Sequence, residues 1–277
     1  MRLAFVGSAI LGIVSALATW RLLDHRADKV EMRRLLALQP QTPQKFDRAM
    51  VADLPEPARR YFMFSIAQGT PLLPVAEFRM SGQFSLGDKN RPNYLMINAH
   101  QVLAAPNGFV WKMRTQPSHL RLSGSDSAAW TRFWMGGIVP VARGGGDADH
   151  ARAAFGRYGA EAIFWTPAAV LPGPNVSWTA LDTDTAKMTM RHSGMEQTVH
   201  VKVAQDGQPT EVTFPRWSNA NPDNIYQLQT FGGYLSKYKE VQGYHIPTHV
   251  EAGNFFGSDA YFPFYKIDIG AFDFPER

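Results

Sequence analysis

Not one of the 277 residues is a cysteine. That excludes a disulfide framework, a thiolate metal site, a cysteine nucleophile and a lipid anchor on cysteine. It leaves the compartment open, because a chain of this size can build a core without covalent staples. Charge is sparse as well: 19% of residues are charged against 45% hydrophobic, the balance of a folded chain rather than a disordered one. The familiar catalytic signatures are also missing. The sequence contains no HExxH or GxSxG arrangement, and Gly124-Ser125-Asp126-Ser127 and Ser193-Gly194 match neither GxSxG nor SxxK. Gly144-Gly145-Gly146 runs into Asp147, not into the Lys-Ser/Thr of a phosphate loop. His192 and His200 fall on different expected strands, and His249 with Glu251 lacks a third ligand. No metal and no cofactor is therefore expected.

The net charge of +4 is concentrated at one end. Residues 1–34 hold six Lys/Arg and three acids, and the remainder carries 22 basic and 21 acidic residues. The excess adjoins a hydrophobic segment and forms no basic patch interleaved with aromatics. Nucleic acid is not an expected partner.

That segment, Leu3–Trp20, has no charge. As a helix it would span about 27 Å, close to the thickness of bilayer hydrocarbon. Two readings compete over residues 1–20. One is a transmembrane anchor, with Trp20 at the interface. The other is a cleaved signal peptide with Ala16-Leu17-Ala18 as a small-x-small site. The anchor reading implies a single pass of a bacterial inner membrane and membrane lipid as a partner through this helix; the basic downstream flank favours a cytoplasmic domain, whereas the short N-tail and signal-like layout favour a domain on the exported side, which is the reading taken. The cleaved reading implies secretion. Residues 21–50 read as a helical linker, with Leu22, Leu23, Val30, Leu35 and Leu36 set among charges.

From Val75 the hydrophobic period changes to two. Phe78, Met80, Phe84 and Leu86 alternate with polar residues, and similar runs follow at Tyr94–Leu103, Gly108–Met113 and His119–Ser123. A second block covers Val176–Leu181, Ala186–Arg191, Thr198–Val203, Glu211–Phe214, Tyr234–Tyr244 and Ile246 onward. Asn107-Gly108 and Asp206-Gly207 supply hairpin turns. Between the blocks Trp130, Phe133 and Trp134 cluster, as a core edge or as an apolar lip for a ligand. The expected fold is α+β: a membrane helix, then a large curved antiparallel sheet, an open or half barrel, packed with a few helices. Residues 51–277 read as a single β-rich domain with a helix inserted at 147–166.

That inserted helix is the clearest element of the chain. Asp147 or Asp149 can cap it, Ala151, Phe155, Tyr158, Ala162 and Trp165 make an apolar face, and Pro167 and Pro172 stop it. Arg157 and Glu161 stand four apart on another face. An exposed pair in this order is worth only ~0.3 kcal/mol. The aromatic neighbours favour a buried ion pair or network, with a surface pair or a ligand-binding role as alternatives.

Four stretches carry a resemblance: LPEPARRYF (54–62), GRYGAEAIFWTPAAVLP (156–172), FGGY (231–234) and IPTHVEAG (246–253). They resemble a family of bacterial proteins of unknown function with LPxPVRRYL-like and RYLAEAxWxPxALLP-like motifs. Arg60, Arg157, Tyr158, Glu161, Pro167, Leu171 and Pro172 fall on its motif positions, and Gly159 stands where Leu is common. In fold the family is similar to periplasmic lipoprotein-carrier (LolA/LolB-like) domains, in which a curved sheet encloses an apolar cavity. The resemblance implies lipid or lipoprotein binding and no catalytic residue. The sequence thus reads as a membrane-tethered binding module for a lipid, lipoprotein or other apolar envelope component. A ligand or structural network is expected at Arg60, Arg157, Tyr158, Glu161 and Trp165. A hydrolase on the same scaffold and a structural or interaction domain are the competing readings.

Overall fold

The structure is a computed structural model that describes residues 2–117 and 120–276, without the side chains of residues 2–10. A first helix, α1, runs Arg2–Leu36. After a 3-10 turn at Arg48–Val51, α2 occupies Glu56–Ser65, with Pro57 in its first turn, where a missing N–H costs nothing. Six strands follow: β1 Ala76–Ser85, β2 Tyr94–Leu103, β3 Phe109–Thr115, β4 Leu122–Ser127, β5 Thr131–Met135 and β6 Val139–Gly144. The run expected over His119–Ser123 begins outside the described residues, and its described end enters β4. Helix α3, Ala148–Trp165, intervenes. The Asp147 carboxylate caps it by accepting a 2.7 Å hydrogen bond from the His150 N–H. Thr166 leaves helical geometry and Pro167 opens a 3-10 turn, Pro167–Val170.

Seven further strands complete the chain: β7 Val176–Ala180, β8 Thr185–His192, β9 Met195–Val203, β10 Pro209–Ser218, β11 Gln227–Val241, β12 Tyr244–Asn254 and β13 Phe262–Asp273. All thirteen strands join one sheet in the order β6-β5-β4-β3-β2-β1-β13-β12-β11-β10-β9-β8-β7. Each half is a meander of sequential hairpins, and the antiparallel pairing of β1 with β13 is the seam between them.

The period of two gives the sheet two faces. On β3, Phe109, Trp111 and Met113 join the main core with α2 and α3, whereas Val110 joins a smaller cluster with Met32 and Leu35 of α1. Helices α2 and α3 therefore cover one face and α1 covers the other.

The expected membrane anchor is not borne out. Among the described residues no helix is long and apolar enough to cross a membrane. Part of the Leu3–Trp20 stretch lies outside the described side chains. The single-pass inner-membrane location, the membrane tether and the membrane lipid as a partner through this helix are corrected with it.

Beyond Trp20 the helix is bound to the sheet by polar groups. Arg21 donates to the Ser123 hydroxyl at 2.7 Å. Asp24 accepts from Arg143 at 2.7 and 3.0 Å and from the Trp134 indole at 2.9 Å. Asp28 accepts from the Ser125 hydroxyl at 2.7 Å and lies 3.3 Å from Lys112. Met32 and Leu35 complete the same stripe. Of the apolar residues set among charges in this linker, Leu22, Leu23 and Val30 are 62%, 55% and 59% exposed, whereas Leu35 is buried. The linker helix thus buries Asp24 and Asp28 and exposes Leu22 and Leu23.

Burial alone would raise the Asp24 carboxyl, but the hydrogen bonds from Arg143 and Trp134 hold it below the ordinary carboxylate range. A depressed folded value adds stability above the unfolded value, and that stability is lost as pH falls through the folded one. Below about pH 4 the melting temperature of the wild type is expected to fall more steeply than that of Asp24→Asn, which starts lower at pH 7. Parallel acid limbs in scanning calorimetry would show that Asp24 does not hold α1 through its charge.

Candidate functional site

The sheet coils around a cavity of about 1330 Å³. That exceeds the roughly 300–1,000 Å³ of pockets for drug-sized molecules. Two cross-strand rows explain how it is built. Phe78, Gln101, Trp111, Asp126 and Thr131 are successive partners from β1 through β5. Phe84, Tyr265, Ala252, Gly233 and Val212 are successive partners across β1, β13, β12, β11 and β10. The second row lines the cavity throughout. Its middle members are small, so nothing fills the space above them. A Cβ on Gly233 would come within 2.0 Å of the Glu251 carbonyl oxygen, so the close approach of β12 requires glycine there.

The cavity mouth lies at one end of the sheet. The β1–β2, β10–β11 and β12–β13 loops meet there, the first contributing Leu86–Asn90, the second Ala220, Asn221, Pro222 and Asn224, and the third Phe255 and Ala260 to the lining. The far wall is Phe164 and Trp165 of α3, with Leu235 and Val250.

Arg157 is the centre of the polar part. Its Nε donates to Glu161 at 2.8 Å, its Nη1 to Asp126 at 2.6 Å and its Nη2 to the Gln101 side-chain oxygen at 3.5 Å. The Gln101 amide in turn donates to Glu161, and the Thr131 hydroxyl donates to Asp126. The guanidinium also lies 4.4 Å from the ring centre of Phe109 and 5.4 Å from that of Trp111. Burial alone would lower the Arg157 pKa; Glu161, Asp126 and Tyr265 reverse this, and the guanidinium stays charged. Tyr265 and Tyr261 on the lining and mouth side have hydroxyls pushed up chiefly by burial, and both are neutral donors at pH 7.

A second guanidinium shares the space. Val212, Phe214 and Arg216 of β10 share one face, and all three line the cavity. Arg216 stacks 4.8 Å from the centre of the Phe231 ring. Its buried Nε has no hydrogen-bond partner among the described residues. Burial and the charge of Arg157 push its pKa down to about 10, against the opposing pull of Asp126 and Glu161.

The residues singled out from sequence separate into two groups. Arg157, Glu161, Trp165 and Phe133 line the cavity. Arg60 lies elsewhere, fastening α2 to turns by donating to the Ala204 and Thr183 carbonyls at 3.0 and 2.7 Å and to Asp184 at 2.8 Å. Tyr158 is packed behind the lining against Phe155 and Phe109, and burial pushes its hydroxyl up to about 12. The three-aromatic lip is not one surface. Trp134 is buried beneath α1, and Trp130 donates to the Ser125 hydroxyl at 3.0 Å under the Arg132 guanidinium. Sequence reasoning missed Asp126, Gln101, Tyr265 and Arg216. Continuing the Val212–Phe214 alternation by one step would have reached Arg216.

A family model described as a family of unknown function (DUF6544) matches residues 44–267, and the chain belongs to that family. No curated protein matches it. Among solved structures it is similar to a LolA superfamily protein from Nitrosomonas europaea at 7% identity, covering 80% of this chain and 93% of the other, with a TM-score of 0.39. It is also similar to a DUF1329 family protein from Desulfovibrio piger at 8% identity, covering 72% and 85%, with a TM-score of 0.37. At this level of likeness no ligand transfers from one protein to another.

Glu161→Ala would leave Arg157 with Asp126 alone and strand the Gln101 amide. The three ionic side chains keep only 14–23% of their surface, so screening is weak. The expected loss is about 2–4 kcal/mol in urea unfolding, well above the ~0.3 kcal/mol of an exposed helical pair. A loss within the exposed-pair range would mean that Glu161 carries no structural load.

Proposed function

We propose that the protein binds an elongated, largely apolar molecule within the coiled sheet. The carrying observation is the cavity itself: about 1330 Å³, walled by Phe84, Trp111, Phe164, Trp165, Phe214 and Phe231 among others. Aromatic walls of this kind stabilise a bound chain through burial at roughly 25 cal/mol per Å² of apolar area. The entrance between three hairpin loops admits a molecule end-on, and the small residues Gly233 and Ala252 leave it room. The lipid- or lipoprotein-binding role implied by the sequence resemblance is retained in this form, without a membrane tether. The described cavity lining includes no histidine, so a Ser–His hydrolytic pair finds no support there.

Mass spectrometry of the natively purified chain, washed free of detergent, is expected to show a retained long-chain molecule. The neutral probe N-phenyl-1-naphthylamine should fluoresce on binding. Val250→Trp, which fills the cavity from β12, should weaken that binding by about tenfold or more with the far-ultraviolet dichroism unchanged. A wild type that retains nothing and takes up no probe would sink the reading.

A further inference from the structure

Two arginines reach into this otherwise aromatic space, and their situations differ. Arg157 is fully engaged: both nearby carboxylates and Gln101 are spent on it. Arg216 has no ion pair and no side-chain hydrogen bond with any described residue, and only the face of Phe231 supports it. A buried guanidinium offers five N–H donors in a planar fork matched to carboxylate or phosphate oxygens. Leaving it unpaired costs stability, because desolvation is not repaid by contacts. Arg216 is half-buried, and its buried Nε is open to an acceptor from outside the fold.

Position narrows the class of that acceptor. Arg216 lies two residues before the β10–β11 loop, whose Ala220, Asn221, Pro222 and Asn224 form part of the mouth. Beyond it the lining passes to Phe214, Phe231, Val212 and then Phe164 and Trp165. The polar anchor is thus near the entrance and the apolar wall is deep. Asp126 and Glu161 offset the two arginines formally, but both bond directly to Arg157, and neither lies within 4.0 Å of Arg216. One oxyanion can bind at Arg216 without displacing either.

We propose that the ligand is a long-chain amphiphile bearing an anionic oxygen head group, a carboxylate or a phosphate, which docks on Arg216 with its chain directed inward to Phe164 and Trp165. This rests on the cavity-binding reading and adds the head group to it. Arg216 is then a specificity residue: it selects the charged head over a neutral one of equal chain length.

The test titrates the full chain with cis-parinaric acid and with the corresponding alcohol, in the wild type, Arg216→Met and Arg216→Lys. The acid is expected to bind the wild type about tenfold or more tighter than the alcohol, the discrimination of one charge-assisted contact. Arg216→Met should lose that preference with alcohol binding unchanged, and Arg216→Lys should keep part of it. Displacement of the probe by dodecanoate and by dodecyl phosphate then tells which head group is preferred. Arg216→Met should also melt no lower than the wild type, because it removes an unpaired buried cation. Equal binding of acid and alcohol to the wild type, or a preference that survives Arg216→Met, overturns the head-group assignment while the cavity reading stands. Binding of neither probe overturns both.

Discussion

The coil of the sheet depends on Arg157. Asp126 on β4 and Arg216 on β10 lie seven strand steps apart in the sheet order, which in a flat sheet would be about 34 Å. Here both are within electrostatic reach of the same guanidinium, one of them in direct contact. Helix α3 is the post around which the two halves curl, and Arg157 is where it is pinned to the β2–β4 side. Its apolar face packs against β9 and β10 on the other side, where Gly156 and Gly159 bring it close to Gln197 and Met190. A Cβ at Gly156 would meet the Gln197 side-chain oxygen at 2.8 Å, so an alanine there would require that side chain to shift. Ionic contact on one flank and close backbone approach on the other together fix the width of the cavity.

The same chain buries charge twice, on opposite faces, with different results. On the α1 face each buried carboxylate is answered: Asp24 by two arginines and an indole, Asp28 by Lys112 and Ser125. On the inner face Arg157 is answered in full and Arg216 is not. Buried ionic groups that are fully paired fix geometry, whereas one left over marks a place where something else completes the set. That contrast separates architecture from binding site without recourse to any relative.

Much of the fold was legible from local pattern. Alternation in β1 through Phe78, Met80 and Phe84, and the cap and stop around α3, follow from side-chain period and backbone chemistry alone. Helix α1 was misread because the inference runs from hydrophobicity to burial. Asp24 and Asp28 face inward only because Arg143, Arg132 and Lys112, distant in sequence, come to meet them. The cavity was legible only as an excess of aromatics. Its volume arises from which residues fall in one cross-strand row, and that requires the register. Phe133 and Trp134, adjacent on β5, went to opposite sides, the cavity and the underside of α1, for the same reason: neighbouring positions on a strand point to opposite faces.

The seam between β1 and β13 has a consequence for how the molecule is made. Each meander consists of hairpins between strands close in sequence, so each can zip up as it emerges. The β1–β13 pairing joins residues 76–85 to residues 262–273 and has by far the longest reach of any strand pair. Loop-closure entropy places such a contact late in folding. Until then β1 and β12 both present open edges, and the inner wall that they complete with Phe84 and Tyr265 is incomplete. The cavity is therefore closed only when β13 pairs with β1 and joins the two meanders.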